Sequence, residues 1–135
     1  MKKLFSTRYS DNGISFALLV LRLTMGGLLI THGFQKLVSF GEKADTFADP
    51  FHIGPSLSMA LVVFAEFFCS AFVILGLFTR LACIPPIIAM SVALFFAHNG
   101  DVFNTGEKSA LFLGGFLTLL FTGPGKVSID RLISR

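Results

Sequence analysis

Four apolar blocks leave this chain few ways to fold. They run roughly Ile14–Val38, Leu57–Phe78, Leu81–Ala97 and Ser109–Thr122, and no strand-like alternation passes through them. The first block, about 25 residues, is long enough to cross a bilayer with some tilt at ~1.5 Å rise per residue. Backbone polar groups in lipid must be satisfied within the segment, and apolar blocks without alternation achieve this as helices. The blocks predict an all-α integral membrane four-helix bundle, a single domain over 1–135. Its helices are expected at about 14–38, 57–78, 81–97 and 107–123. Hydrophobic residues are 53% of the chain and charged ones 14%, which excludes an ordinary soluble domain. The net charge of +3 is spread along the chain rather than gathered in a patch, so the expected partner is the lipid bilayer and not nucleic acid.

Charges inside the blocks carry the functional information. Arg22 lies within the first block, His32-Gly33-Phe34-Gln35-Lys36 closes it, and Glu66 lies within the second. A charge deep in a membrane costs about 2.5–3.5 kcal/mol on insertion scales, so it faces a partner or a cavity rather than lipid. Counted from the expected cytoplasmic helix ends, Arg22 lies ~12 Å deep and Glu66 ~18 Å deep, within reach of an extended arginine. The two are therefore expected to contact each other. At about 100° per residue, Arg22, Gly26, Leu29, Gly33 and Lys36 share one face of helix 1, with His32 at its edge. Glu107, Leu111, Gly114 and Thr118 share a face of helix 4, and Ser91 and His98 one of helix 3. If these small or polar stripes meet inside the bundle, they form a polar pocket in the outer half of the membrane. Arg22, His32, Lys36, Glu66, His98 and Glu107 would line it. The competing reading is a purely structural Arg22–Glu66 pair that fixes helix register. No catalytic residue is assigned, and no metal-ligand spacing is present.

The connections are also informative. Ser39–Ser56, acidic on balance, carries Phe40, Phe47 and Phe51 through a polar loop, with a short surface helix expected at Ala44–Ala48. Pro85-Pro86 is expected near the first turn of helix 3, where missing amide donors are tolerated. The tail Lys126–Arg135 is expected to lie on the membrane surface. Val127, Ile129, Leu132 and Ile133 would face lipid, and Lys126, Asp130 and Arg131 water. Lys2, Lys3, Arg8, Arg80, Lys126, Arg131 and Arg135 fall on one side of the bilayer and Lys36, Lys43 and Lys108 on the other. That bias places both termini in the cytoplasm of a bacterial inner membrane. The polar run Arg8–Gly13 interrupts any signal peptide begun by Met1-Lys2-Lys3, so the first helix is expected to be retained. Cys69 and Cys83 are expected ~10 Å apart in depth, beyond the ~7 Å Cα limit of a disulfide, and are read as packing residues.

The whole pattern resembles the DoxX family of small bacterial inner-membrane proteins. The resemblance rests on Arg22, His32-Gly33-Phe34-Gln35-Lys36, Glu66, Gly76-Leu77-Phe78-Thr79-Arg80, Gly106-Glu107-Lys108-Ser109-Ala110-Leu111 and Gly123-Pro124-Gly125-Lys126-Val127-Ser128-Ile129-Asp130. It covers about residues 14–131 and implies a redox association: thiosulfate oxidation with quinone as acceptor, and membrane complexes handling oxidative stress and thiols. The leading expectation is a redox-associated subunit that binds a quinone or a small anion in the polar pocket. No flavin, haem or iron–sulfur motif is present, so no cofactor is expected beyond a quinone. A redox protein and a second copy of the chain are the candidate protein partners. Two alternatives stay open: a small-molecule carrier using the same pocket, and a scaffold or assembly factor with no reaction.

Overall fold

The computed structural model describes residues 2–134, and among these it is all-helical. Met1 and Arg135, the latter part of the basic count above, lie outside the described residues. Helix α1 runs Asp11–Val38. It begins three residues before the apolar block because Ser10 caps it, accepting the Gly13 N–H at 3.0 Å. The short α2 (Phe40–Lys43) passes into a 3-10 turn at Ala44–Thr46, in place of the surface helix expected at Ala44–Ala48. Helix α3 runs Pro55–Leu75, α4 Thr79–Ala97, α5 Glu107–Thr122 and α6 Ile129–Ile133. Three of these, α1, α3 and α4, are long and apolar enough to cross a membrane. Helix α5 has 16 residues, about 24 Å at the α-helical rise.

Helices α1 and α3 are antiparallel and touch at glycines. The buried face of α1 holds Ser15, Leu18, Arg22, Gly26, Leu29 and Gly33, spaced by three and four as a packed helix face requires. A Cβ on Gly33 would lie 2.5 Å from the Phe67 backbone nitrogen, and one on Gly26 would lie 3.0 Å from the Ser70 carbonyl oxygen. Neither obstacle can rotate away. At Gly115 of α5 the nearest atom is instead the flexible Met25 sulfur, 2.3 Å away. Gly33→Ala is therefore expected to destabilise by about 1–3 kcal/mol or more, and Gly115→Ala by clearly less. Thermal unfolding of the two purified variants, side by side, checks the order.

Helix α5 packs on α4 and α1 through Ser109, Phe112, Phe116 and Leu119. The stripe Glu107–Leu111–Gly114–Thr118, expected inside, faces outward: all four are exposed, and nothing lies within 4 Å of a Cβ placed on Gly114. In lipid an apolar face gains nothing by being outside, so packing volume and not polarity chose the inner face. The start of α4 also differs from expectation. With Thr79 as its first residue, Pro85 and Pro86 sit in its second turn, inside the helix. The earlier start moves Cys83 four residues in, while Cys69 lies six from the end of α3. At the α-helical rise the two differ in depth by only ~3 Å rather than ~10 Å. Both are free and buried in one cluster with Val73, Met90 and Phe116, so they are packing residues, though not for the reason of unequal depth.

Two helices depart from α geometry. In α3 the turn Phe64–Phe68 is a π turn, closed by the Cys69 N–H on the Phe64 carbonyl. In α4 the turn Ala93–Ala97 is another, closed by the His98 N–H on the Ala93 carbonyl at 3.1 Å. Such single widened turns are frequent at functional sites.

Candidate functional site

Arg22 and Glu66 do not meet. A helical side chain leans toward its own N-terminus. Arg22 on α1 thus points at the end of the bundle where the chain termini lie, while Glu66 on antiparallel α3 points the opposite way. Gly33, not Arg22, is level with Glu66, and the step of eleven positions from Arg22 to Gly33 amounts to ~16 Å along the axis. Counting each residue from its own helix end misplaced the pair, because α1 extends well past the end of α3.

Arg22 is 2% exposed and fully engaged with carbonyls. Its Nε donates to the Val73 oxygen (3.0 Å) and Nη2 to that of Ile74 (2.8 Å), two of the C-terminal carbonyls that a helix leaves unpaired. Nη1 donates to the carbonyls of Pro124 (3.1 Å) and Val127. The guanidinium also places positive charge at the negative end of α3. Helix α3 itself ends in a Schellman turn: Leu77 N–H bonds the Phe72 carbonyl, and Gly76 N–H that of Val73. Gly76 has φ +70°, and a Cβ there would meet Ser128 and the Arg22 guanidinium at 2.5 and 2.7 Å. Arg22 thus clamps the tail 123–130 against the α3–α4 turn.

Glu66 pairs instead with Lys36. Lys36 leans down α1 and Glu66 leans up α3, so their side chains converge, with Nζ to Oε2 at 2.5 Å. Glu66 is 4% exposed, and Lys36 is half-buried. The pair opens on a cavity of about 390 Å³, walled by Asp49 and Pro50 of the long loop, Val62 of α3, and Ala93 and Phe96 of α4. Glu66 lies in one π turn and Ala93, Phe96 and Ala97 in the other, so both widened turns border one cavity. Asp49 holds the roof. Its carboxylate accepts from Ile53 N–H (3.0 Å), Gly54 N–H (2.8 Å) and Ser58 Oγ (2.9 Å). Any burial would raise the Asp49 pKa, but these bonds and nearby His52 outweigh it and hold the carboxyl below the usual range.

The other expected lining residues lie elsewhere. His32 stands edge-on to Phe112 of α5, ring centres 6.1 Å apart. His98 is half-buried beside Gly106 at the α4–α5 connection, and Glu107 is exposed in the first turn of α5. Of the six, only Lys36 and Glu66 share the cavity. Sequence reasoning missed Asp49 and the cavity wall of α4. The Asp49-Pro50 step before Gly54-Pro55 was the available signal, since an Asp there can satisfy the free amides at a helix start. Among the described residues, no group of three His, Cys, Asp or Glu side chains could hold a metal.

The DoxX family model matches residues 17–99, from α1 through α4, and so contains Arg22, Lys36 and Glu66. The chain belongs to the DoxX family. It is similar to the inner membrane protein YphA of Escherichia coli (strain K12), 30% identical across 92% of this chain and 96% of YphA. It is likewise similar to the inner membrane protein YqjF of the same organism, 30% identical across 87% of this chain and 92% of YqjF. An uncharacterized membrane protein of Mycobacterium tuberculosis (strain ATCC 25618 / H37Rv), Rv3486, is 26% identical across 88% of this chain and 82% of its own length. No solved structure matches.

In this DoxX chain the stretches 76–80 and 123–130 are two halves of one contact. Asp130 does not face water, contrary to the expectation from the tail's pattern. It accepts the Phe78 N–H (2.7 Å) and Thr79 N–H (2.9 Å), capping α4 from across the chain, while its own N–H bonds the Gly76 carbonyl. Burial would raise the Asp130 pKa, but the Thr79 and Phe78 bonds and the Arg22 charge outweigh it and lower it from 3.8. A depressed folded-state pKa means the cap's contribution is complete above the unfolded value and lost as pH falls through the folded one. Stability from this DoxX clamp is therefore expected to be flat at neutral pH and to fall only below about pH 4. Asp130→Asn should lower stability by about 1–2 kcal/mol at pH 7 and flatten the acid limb. Unfolding midpoints measured from pH 7 to pH 3 on both proteins check this; an unchanged acid limb in Asp130→Asn contradicts it.

Proposed function

We propose that this DoxX protein is a redox-associated subunit of the inner membrane whose Lys36–Glu66 cavity binds the head of a quinone or a small anion. The observation that supports this most is the coincidence of a buried ion pair and two π turns around one cavity. A lysine ammonium donates to a carbonyl or an anion, and a carboxylate beside it can accept a proton or orient the head group. The redox assignment itself follows from family resemblance. Arg22 takes no part in binding here, because four of its five donors are held by carbonyls about 16 Å along the axis from Glu66. In this reading α5 completes a four-helix span. The basic residues near the terminal end of the bundle (Lys2, Lys3, Arg8, Arg80, Lys126 and Arg131) support an orientation with both termini in the cytoplasm. Quinone-dependent turnover by the purified protein with its native partners is the test. Flux into liposomes without turnover favours a carrier instead, and neither result favours a scaffold.

A further inference from the structure

The Lys36–Glu66 cavity adjoins a second one. A chamber of about 360 Å³ shares Phe47, Ala48, Pro50, Val62, Ala89 and Val92 with it as common walls. The second chamber runs along the groove between α3 and α4, past Leu61, Phe64 and Ile88. These three side chains are about half exposed on the outer surface of membrane-spanning helices, where lipid lies. The chamber's lining is apolar apart from Ser58, whose hydroxyl is already bonded to Asp49. One end of the combined space is therefore a buried ion pair and the other an apolar groove at the bilayer.

From this geometry we infer that the two chambers form one site for a membrane-dissolved amphiphile. Its small polar head, carrying a carbonyl or hydroxyl, sits at Lys36–Glu66. Its apolar tail lies in the α3–α4 groove, and the molecule enters sideways from the lipid. This rests on the head-binding role given to Lys36–Glu66 above and specifies the ligand class. Two observations favour the amphiphile over a water-borne anion. The loop over the polar chamber is fastened by three bonds to Asp49 and by the packing of Phe51 on Phe96, ring centres 5.5 Å apart. The apolar chamber has room for on the order of ten methylene-sized groups at ~30 Å³ each, which an anion would leave empty.

The tail leaves lipid for an equally apolar groove, so its contribution comes from packing contacts rather than escape from water. The inference is tested with the full chain in lipid nanodiscs, a benzoquinone bearing a ten-carbon tail, and its tailless parent. Binding is read as membrane-phase affinity, corrected for partitioning. The tailed probe is expected to bind about tenfold more tightly than the parent. Leu61→Trp with Ile88→Trp, which fills the groove at two exposed positions, should abolish that advantage and leave the parent's affinity unchanged. Should the pair of changes impair folding, Ile88→Phe alone reads the same groove. Lys36→Met should weaken both probes equally. Equal affinity of both probes for the unmodified protein, or a tail advantage that survives groove filling, overturns the tail groove while the head site stands. Failure of either probe to bind the unmodified protein overturns both.

Discussion

Arg22→Met is expected to lower the thermal transition of the purified protein by roughly 10 °C or more, the largest effect of any single change in the bundle. The side chain is 2% exposed and donates to four carbonyls, of which only that of Val73 has a second donor, the Gly76 N–H. Methionine keeps the volume and removes every donor. Each buried carbonyl left unpaired costs about 1–3 kcal/mol, and several are released together. The tail 123–130 should detach from the α3–α4 turn as well, because Pro124 and Val127 are two of the four acceptors. Proteolytic sensitivity within Pro124–Asp130 measures that release separately from global unfolding. Arg22→Lys, with a compact charge in place of the planar fork, should recover part of the stability and little of the tail protection. An Arg22→Met protein as stable as the unmodified one, with its tail still protected, would show that the clamp is dispensable.

The inward face of α1 was legible in the sequence because Arg22, Gly26, Leu29 and Gly33 repeat at helical spacing and a charge cannot sit in lipid. The same rule failed on α5, where Glu107, Leu111, Gly114 and Thr118 turn outward. There the inner positions are Phe112, Phe116 and Leu119, as apolar as lipid itself, and hydropathy does not distinguish a packed face from a lipid face. Arg22 and Glu66 were each recognisable as buried, but not as strangers to each other. Depth along one helix says nothing of where a neighbouring helix ends, and the lean of helical side chains decides which carbonyls or charges they meet. The π turns at Phe64–Phe68 and Ala93–Ala97 leave no mark in a 3.6-residue period, so the cavity they border was invisible. The tail was legible as amphipathic, yet Asp130 reads as a solvent residue until Phe78 and Thr79 are seen to present free amides to it.

The second large effect concerns Lys36 and Glu66. Lys36→Met leaves Glu66, 4% exposed, as an unpaired buried carboxylate and is expected to cost about 3–5 kcal/mol. Glu66→Leu should cost less, because Lys36 is only half-buried and can extend its ammonium toward the nearby end of α1. The double variant Lys36→Met, Glu66→Leu should be more stable than Lys36→Met alone and close to the unmodified protein, since both buried charges are gone. Denaturation of the four proteins in one detergent gives the coupling directly. Additive losses would mean that the two side chains do not interact.

The most direct test of a binding site at Lys36–Glu66, separate from the structural Arg22 clamp, is equilibrium binding of the ten-carbon-tailed benzoquinone to three folded proteins in nanodiscs. These are the unmodified chain, the Lys36→Met, Glu66→Leu double variant, and Arg22→Lys. The predicted result is a loss of at least about tenfold in the double variant despite its recovered stability, with the affinity of Arg22→Lys within about twofold of the unmodified chain. Undiminished binding by the double variant, or a loss confined to Arg22→Lys, would contradict it.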